Sequence, residues 1–120
     1  MPSGQILVAD DDAGIRTVLN QALSRAGYEV RSARDGREGM RLVANEPFDL
    51  VLTDLIMPDQ EGIETIRNLH RDYPSIRIVA ISGAMDAVYL KTAELLGAHA
   101  ALRKPIDREE LLRTVRALLG

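Results

Sequence analysis

Three features of the chain predict an α/β fold built on a parallel sheet covered by helices on both faces. Five short apolar runs alternate strictly with five stretches of helical periodicity, the pattern of repeated strand–helix units. The inner runs are continuous in Ile, Leu, Val and Ala rather than alternating with polar residues, as strands buried on both faces require. Each of these runs also stops at a polar or charged residue, so its end reads as the rim of the sheet.

The elements follow in order. Residues 6–9 form an apolar run closed by Asp10-Asp11-Asp12, a first strand ending in acid. Between 13 and 26, Ile15, Val18, Leu19, Ala22, Leu23 and Ala26 recur at helical spacing, and Gly27 is placed to end that helix. Tyr28, Val30 and Ser32 alternate with Glu29 and Arg31, which suits an edge strand. Asp35 and Glu38 have capping-box spacing for a second helix to about Asn45, where Pro47 stops it.

Residues 50–53 form a third strand that runs into Asp54, with Pro58 ending the extended segment. Asp59 is the expected cap of a third helix whose apolar stripe is Ile63, Ile66 and Leu69, closed by Pro74. Residues 76–81 form the fourth strand, reaching Ser82-Gly83-Ala84. Asp86 opens a fourth helix to Leu96, with Gly97 at its end. Residues 98–102 form a short fifth strand ending at Arg103-Lys104-Pro105. Asp107 and Glu110 repeat the capping-box spacing before Leu111, Leu112, Val115, Leu118 and Leu119.

Composition narrows the function. The 120 residues, 46% hydrophobic and 28% charged, suit one folded domain over 1–120. A net charge of −3, a single Phe, no Trp and no basic run argue against a nucleic-acid surface or an anionic membrane as partner. Without cysteine there is no disulfide and no thiolate metal site. With no apolar stretch of spanning length and no signal peptide in the first residues, a cytoplasmic protein is the expectation.

The strand ends hold the chemistry. In a parallel sheet with this alternation, Asp10, Asp11, Asp54, Ser82 and Lys104 converge on one edge, where α/β sheets bind ligands. Three carboxylates gathered there repel unless a cation intervenes or some stay protonated. With no histidine or cysteine in the set, an oxygen-preferring divalent ion, Mg²⁺, fits better than zinc. Carboxylates, a lysine, a hydroxyl and Mg²⁺ together are what phosphoryl transfer uses, and a carboxylate can itself be the nucleophile.

The acid pair Asp10-Asp11, the Asp54-Leu55-Ile56-Met57-Pro58 pattern, Ser82-Gly83 and Lys104-Pro105 occur in order and at suitable spacing over nearly the whole chain. In these motifs the sequence resembles the receiver domains of bacterial response regulators. The resemblance implies a flavodoxin-like (βα)5 fold with strand order 2-1-3-4-5. It also implies that Asp54 is the phospho-acceptor, with Mg²⁺ held by Asp11, by Asp10 mainly through water, by Asp54 and by the backbone carbonyl of Ile56. Ser82, with Gly83 beside it, and Lys104 would bind phosphoryl oxygens, and the Lys104–Pro105 peptide would be cis. A sensor histidine kinase or phosphotransfer protein would supply the phosphoryl group. The output would be a changed surface on the fourth helix, fifth strand and fifth helix, read by an effector or a second copy of the chain. With nothing after Gly120, the chain would be a stand-alone receiver or one excised from a longer regulator.

The sequence departs from that family in places. Ala101 stands where many receivers carry an aromatic residue, so a rotamer switch there has no side chain to use. Ile56 and Ala84 cannot hydrogen-bond an attacking water through their side chains, which predicts slow self-dephosphorylation. His70 and His99 read as structural or surface residues, and Arg103, Arg108, Arg113 and Arg116 as a solvated rim.

Two other functions compete. A haloacid-dehalogenase-like phosphatase also uses an Asp nucleophile with a second Asp two residues on, as Asp10 and Asp12 stand, but 120 residues leave no room for its cap domain. A flavodoxin-like electron carrier needs a hydroxyl-rich phosphate loop where this chain has acids.

Overall fold

Every apolar run of the sequence becomes a strand of one parallel five-stranded sheet, and every periodic stretch a helix. The computed structural model describes residues 4–55, 61–83 and 87–120, with no side chains described at 61 and 87–90. In chain order the elements are β1 (Gln5–Ala9), α1 (Ala13–Arg25), β2 (Glu29–Ala33), α2 (Gly36–Asn45) and β3 (Leu50–Asp54). They continue as α3 (Glu61–Asp72), β4 (Arg77–Ser82), α4 (Ala87–Leu96), β5 (Ala100–Arg103) and α5 (Arg108–Leu119). The strand order is β2-β1-β3-β4-β5, as the family resemblance implied, with all neighbours parallel.

Alternating side chains divide the core between the two faces of the sheet. Ile6 and Val8 of β1 face one cluster with Leu50, Leu52, Val79 and Ile81, closed by Leu19 and Leu23 of α1 and Leu111 and Val115 of α5. Leu7 and Ala9 face the other, with Val51, Ile78 and Ala80, closed by Val43 of α2, Ile66 and Leu69 of α3 and Ala93 of α4. Past Gln5 and Arg77 at their starts the central strands β1, β3 and β4 are buried, and each large apolar side chain there contributes about 1.5–3 kcal/mol.

Helix ends explain where the strand boundaries differ from the sequence reading. Gly27, at φ +103°, turns α1 out of its helix. Its N–H donates to the Ser24 carbonyl (3.1 Å) and that of Tyr28 to the Leu23 carbonyl (3.2 Å), a Schellman closure. Tyr28 therefore belongs to the helix end, and β2 starts at Glu29. Gly97, at φ +121°, repeats the arrangement, with Gly97 N–H on Glu94 (3.1 Å) and Ala98 N–H on Ala93 (2.9 Å). That leaves β5 to begin at Ala100 rather than at 98. Strand β4 is shifted by one residue, because the Ile76 N–H closes a turn onto the Tyr73 carbonyl (3.0 Å).

Asp12 caps α1, accepting from Gly14 N (2.8 Å) and Ile15 N (3.2 Å), and of the expected caps Asp35 accepts from Glu38 N (2.8 Å). Asp107 accepts from Glu109 N (3.4 Å), one residue short of the Glu110 position that a capping box uses. Asp59 and Asp86 lie outside the described residues.

His99 ties the start of β5 to β4. Its N–H donates to the Ile78 carbonyl (2.7 Å), and its Nδ1 accepts from the Ile78 N–H (3.0 Å). Burial, then the charges of Arg77 and His70, hold its imidazole below the ordinary histidine range. The two histidines, unrelated by spacing, thus share one end of the sheet. Protonating Nδ1 removes an acceptor from a backbone donor. Because the folded-state pKa is depressed, the stability involved is complete above the unfolded value of about 6.5 and is lost as pH falls below it. Melting temperature is therefore expected to fall between about pH 7.5 and about pH 5 more steeply in the parent than in His99→Gln. Equal slopes in the two proteins would exclude this clamp.

Candidate functional site

The crevice lies where the strand order reverses, between the carboxyl ends of β1 and β3. Asp10 follows β1, whose last rung pairs Ala9 with Thr53, and Asp54 is the last residue of β3. Both are buried, at 0% and 3% exposure, while Asp11 is exposed beside them. One carboxylate oxygen from each of the three lies within 4.8 Å of the others.

Lys104 enters from β5. Its N–H donates to the Ser82 carbonyl at 2.7 Å, and the Lys104–Pro105 peptide is cis. Its Nζ lies 2.9 Å from Asp54 Oδ2 and 3.2 Å from Asp10 Oδ2. One ammonium thus faces two buried carboxylates.

Burial raises the Asp10 carboxyl above the ordinary carboxylate range; the Asp12 N–H bond opposes this, Asp54 reinforces it and Lys104 opposes it. Burial pulls Lys104 down, but its bond to Asp54 and the fields of Asp54 and Asp10 outweigh that and hold it above the ordinary lysine range. Asp10 Oδ1 accepts from Asp12 N (2.9 Å). Asp10 Oδ2 is within ion-pair distance of Lys104 but off a good hydrogen-bonding angle, and has no hydrogen bond among the described residues.

Like charges a few ångströms apart repel by about 4 kcal/mol at an effective dielectric near 20. One lysine cannot neutralise three carboxylates. An all-oxygen donor set with one buried oxygen lacking a hydrogen bond fits a hard divalent cation, and Mg²⁺ accepts one or two carboxylates with the remainder water or phosphate. Ile56, whose carbonyl was expected to join, lies outside the described residues, as does Ala84.

Ser82 ends β4 fully buried, and its Oγ donates to the Gly83 carbonyl at 3.3 Å. Among the described residues nothing stands within 4 Å of where a Cβ of Gly83 would lie. Pro105 is exposed, as are Arg103, Arg108, Arg113 and Arg116. Beside the acids, Ile15, Val18 and Leu19 of α1 with Lys104, Pro105 and Ile106 line an apolar cleft of about 700 Å³, in which Val18 is 63% exposed.

Two residues of the site were not singled out from the sequence. Arg16 donates from α1 to the Asp10 carbonyl at 2.7 Å. Gly62, in the first turn of α3, lies against the end of β3, where a Cβ would collide with the Asp54 carbonyl and the Leu55 backbone. The one available signal was a glycine inside an otherwise helical stretch soon after the motif.

Residues 6–116 match the response regulator receiver domain family. The chain belongs to that family. It is 43% identical over 119 residues to the DNA-binding transcriptional regulator NtrC of a Bradyrhizobium species, covering 98% of this chain and 25% of that protein. It is 41% identical over 116 residues to the response regulator MprA of Mycolicibacterium vanbaalenii, covering 96% and 50%. The chain thus spans a quarter to a half of these relatives' length. Among solved structures it superposes on a CheY-like receiver domain protein of Methanospirillum hungatei with a TM-score of 0.92 at 31% identity, covering 98% and 94% of the two chains. The chemotaxis response regulator CheY4 of Vibrio cholerae gives 0.89 at 29% identity, covering 98% and 100%.

As a receiver of two-component signalling, the chain is a signalling domain rather than a conventional enzyme. The match to the receiver family over residues 6–116 leaves the phosphatase alternative without support. Among the described residues no helix of this receiver is long and apolar enough to cross a membrane.

Gly62→Ala is expected to lower the unfolding free energy in urea by about 1–3 kcal/mol, the range for overpacking against unyielding neighbours. It should also shift the amide resonances of Asp54 and Leu55. Parent-like stability with both amides unmoved would show that α3 is not held this tightly against the site.

Proposed function

We propose that Asp54 accepts a phosphoryl group from the phosphohistidine of a sensor kinase or phosphotransfer protein, and that the phosphorylated receiver then changes the partner it binds. The observation that carries this reading is the pairing of Lys104 Nζ with both Asp54 and Asp10, at a rim that also holds Asp11.

In the transfer an Asp54 oxygen attacks phosphorus, a carboxyl–phosphorus bond forms, and the phosphorus–nitrogen bond to the donor histidine breaks. The imidazole leaves and recovers a proton. Lys104, already charged and 2.9 Å from Asp54 Oδ2, follows the new negative charge onto a phosphoryl oxygen. Ser82 exchanges its long bond to Gly83 for another phosphoryl oxygen. Asp10, Asp11 and Asp54, with the Ile56 carbonyl, would hold Mg²⁺, which when bound supplies positive charge that offsets the crowded oxygens.

The donor must bring its histidine to a buried carboxylate, so it docks beside it. The apolar cleft of α1 and the loop after β5 has Lys104 in its own lining and suits an apolar helical surface. Output follows from the strand ends that the phosphoryl group engages. Ser82 ends β4, and Lys104 follows β5 and is bonded to Ser82, so α4, β5 and α5 form the responsive face, on which Leu95 is 80% exposed for an effector or a second copy. The net charge of −3 favours a protein over nucleic acid as what this receiver touches. On this reading the receiver would meet its sensor-kinase donor in the cytoplasm.

Asp54→Asn is expected to abolish labelling by acetyl phosphate in Mg²⁺, read as the mass increment of one phosphoryl group. Undiminished labelling in that variant would refute the assignment of Asp54. Val18→Glu is expected to keep acetyl phosphate labelling at the parent rate but slow transfer from a phosphohistidine donor at least tenfold, about 1.4 kcal/mol of docking. Equal slowing of both reactions would place Val18 in the chemistry rather than in docking.

A further inference from the structure

We propose that Arg16 is the positioning residue of the acid pair: it fixes the peptide joining Asp10 to Asp11, and so sets where the Asp11 carboxylate stands. The proposal rests on the reading of Asp10, Asp11 and Asp54 as a Mg²⁺ site.

The chain arches out of β1 and into α1 over only three residues, Asp10 to Asp12. Asp10 Oδ1 accepts the Asp12 N–H at 2.9 Å, and Asp12 Oδ1 caps the start of α1 at 2.8 and 3.2 Å. Those bonds hold the two outer residues of the arch. Among the described residues nothing hydrogen-bonds the carboxylate of the middle one, exposed Asp11, so its place depends on the backbone that carries it. Arg16 supplies the missing restraint. Half-buried on α1, it reaches back and donates to the Asp10 carbonyl at 2.7 Å, a short, charge-assisted bond. That carbonyl belongs to the peptide plane whose other side is Asp11, so locking it fixes the direction in which the Asp11 side chain leaves the chain.

The contact is to a carbonyl and not to any of the three carboxylates, which separates two roles of opposite sign. A guanidinium acting only as a nearby charge opposes a divalent cation, and its removal tightens binding. A guanidinium acting as a clamp does the reverse, because a released arch must be ordered when the metal binds. Partners of this supporting kind typically change metal affinity by about 10–100-fold.

The test measures Mg²⁺ affinity by isothermal titration calorimetry for the parent, Arg16→Ala and Arg16→Lys, with the amide resonances of Asp11 and Asp12 as a second readout. The expected result is at least tenfold weaker binding in Arg16→Ala, a smaller loss in Arg16→Lys, and shifts centred on the arch. Binding as tight as the parent's, or tighter, in Arg16→Ala overturns the proposal. If that variant does not fold, Arg16→Lys carries the test, and parent-like affinity with unmoved arch amides overturns it. A parent protein that binds no Mg²⁺ overturns the metal reading itself, whereas a parent that binds beside an unaffected variant overturns only the role of Arg16.

Discussion

The ion pair of Lys104 with Asp54 and Asp10 is the constraint on which the rest of the site depends. Two carboxylates that are almost fully buried cannot stay charged in each other's company without a cation. The lysine that supplies it comes from the far edge of the sheet, two strands away from β3. Its own burial works against its charge, and the same two acids that it stabilises keep it protonated. The three groups therefore define one electrostatic unit. It is one positive charge short with two carboxylates and two short once Asp11 is added, and in the proposed reading that shortfall is what a divalent cation and then a phosphoryl group answer.

Such a unit needs a parallel sheet. Asp10, Asp54, Ser82 and Lys104 belong to four different strands or the residues that follow them, and only parallel pairing sends all four ends to the same edge. The order with β1 between β2 and β3 then opens the crevice at the two aspartates. Burial on both faces makes the strands stiff supports, since Leu50, Val51 and Leu52 are fully inaccessible just before Asp54.

The architecture was legible in the sequence because its signals are local. Continuous apolar runs, Gly27 and Gly97 as helix stops, and Asp35 and Asp107 as caps each act within a few residues. Strand boundaries slipped by a residue or two where the same backbone N–H could serve helix closure or strand pairing, as at Tyr28 and Ala98. Convergence of Asp10, Asp11, Asp54 and Lys104 was legible too, through the rule that parallel strands end together. Arg16 and Gly62 were not. A bond from a helix side chain to a loop carbonyl, and a helix packed too closely for a methyl group, are facts of three-dimensional approach that no periodicity encodes. His99 was read as structural or surface, which is where it lies, but its acceptance of the Ile78 N–H depends on strand register and was invisible in spacing.

Ala101 bears on how a signal leaves the site. Half-buried on β5, it packs against the cluster that includes Ala93 of α4, and no bulky ring there can swing between buried and exposed positions. In the proposed reading the backbone takes over that task. Lys104 N–H is bonded to the Ser82 carbonyl at 2.7 Å, so the two residues drawn to a phosphoryl group are already joined across β4 and β5. A pull on either is a pull on both, and the rungs from Val79–Ala100 to Ser82–Arg103 carry it along β5. A ligand shifts a two-state equilibrium only through its different affinities for the two states. In the proposed reading that difference comes from Ser82 and Lys104 changing partners, with Ala100 and Ala101 on β5 offering little steric resistance to the strand's adjustment.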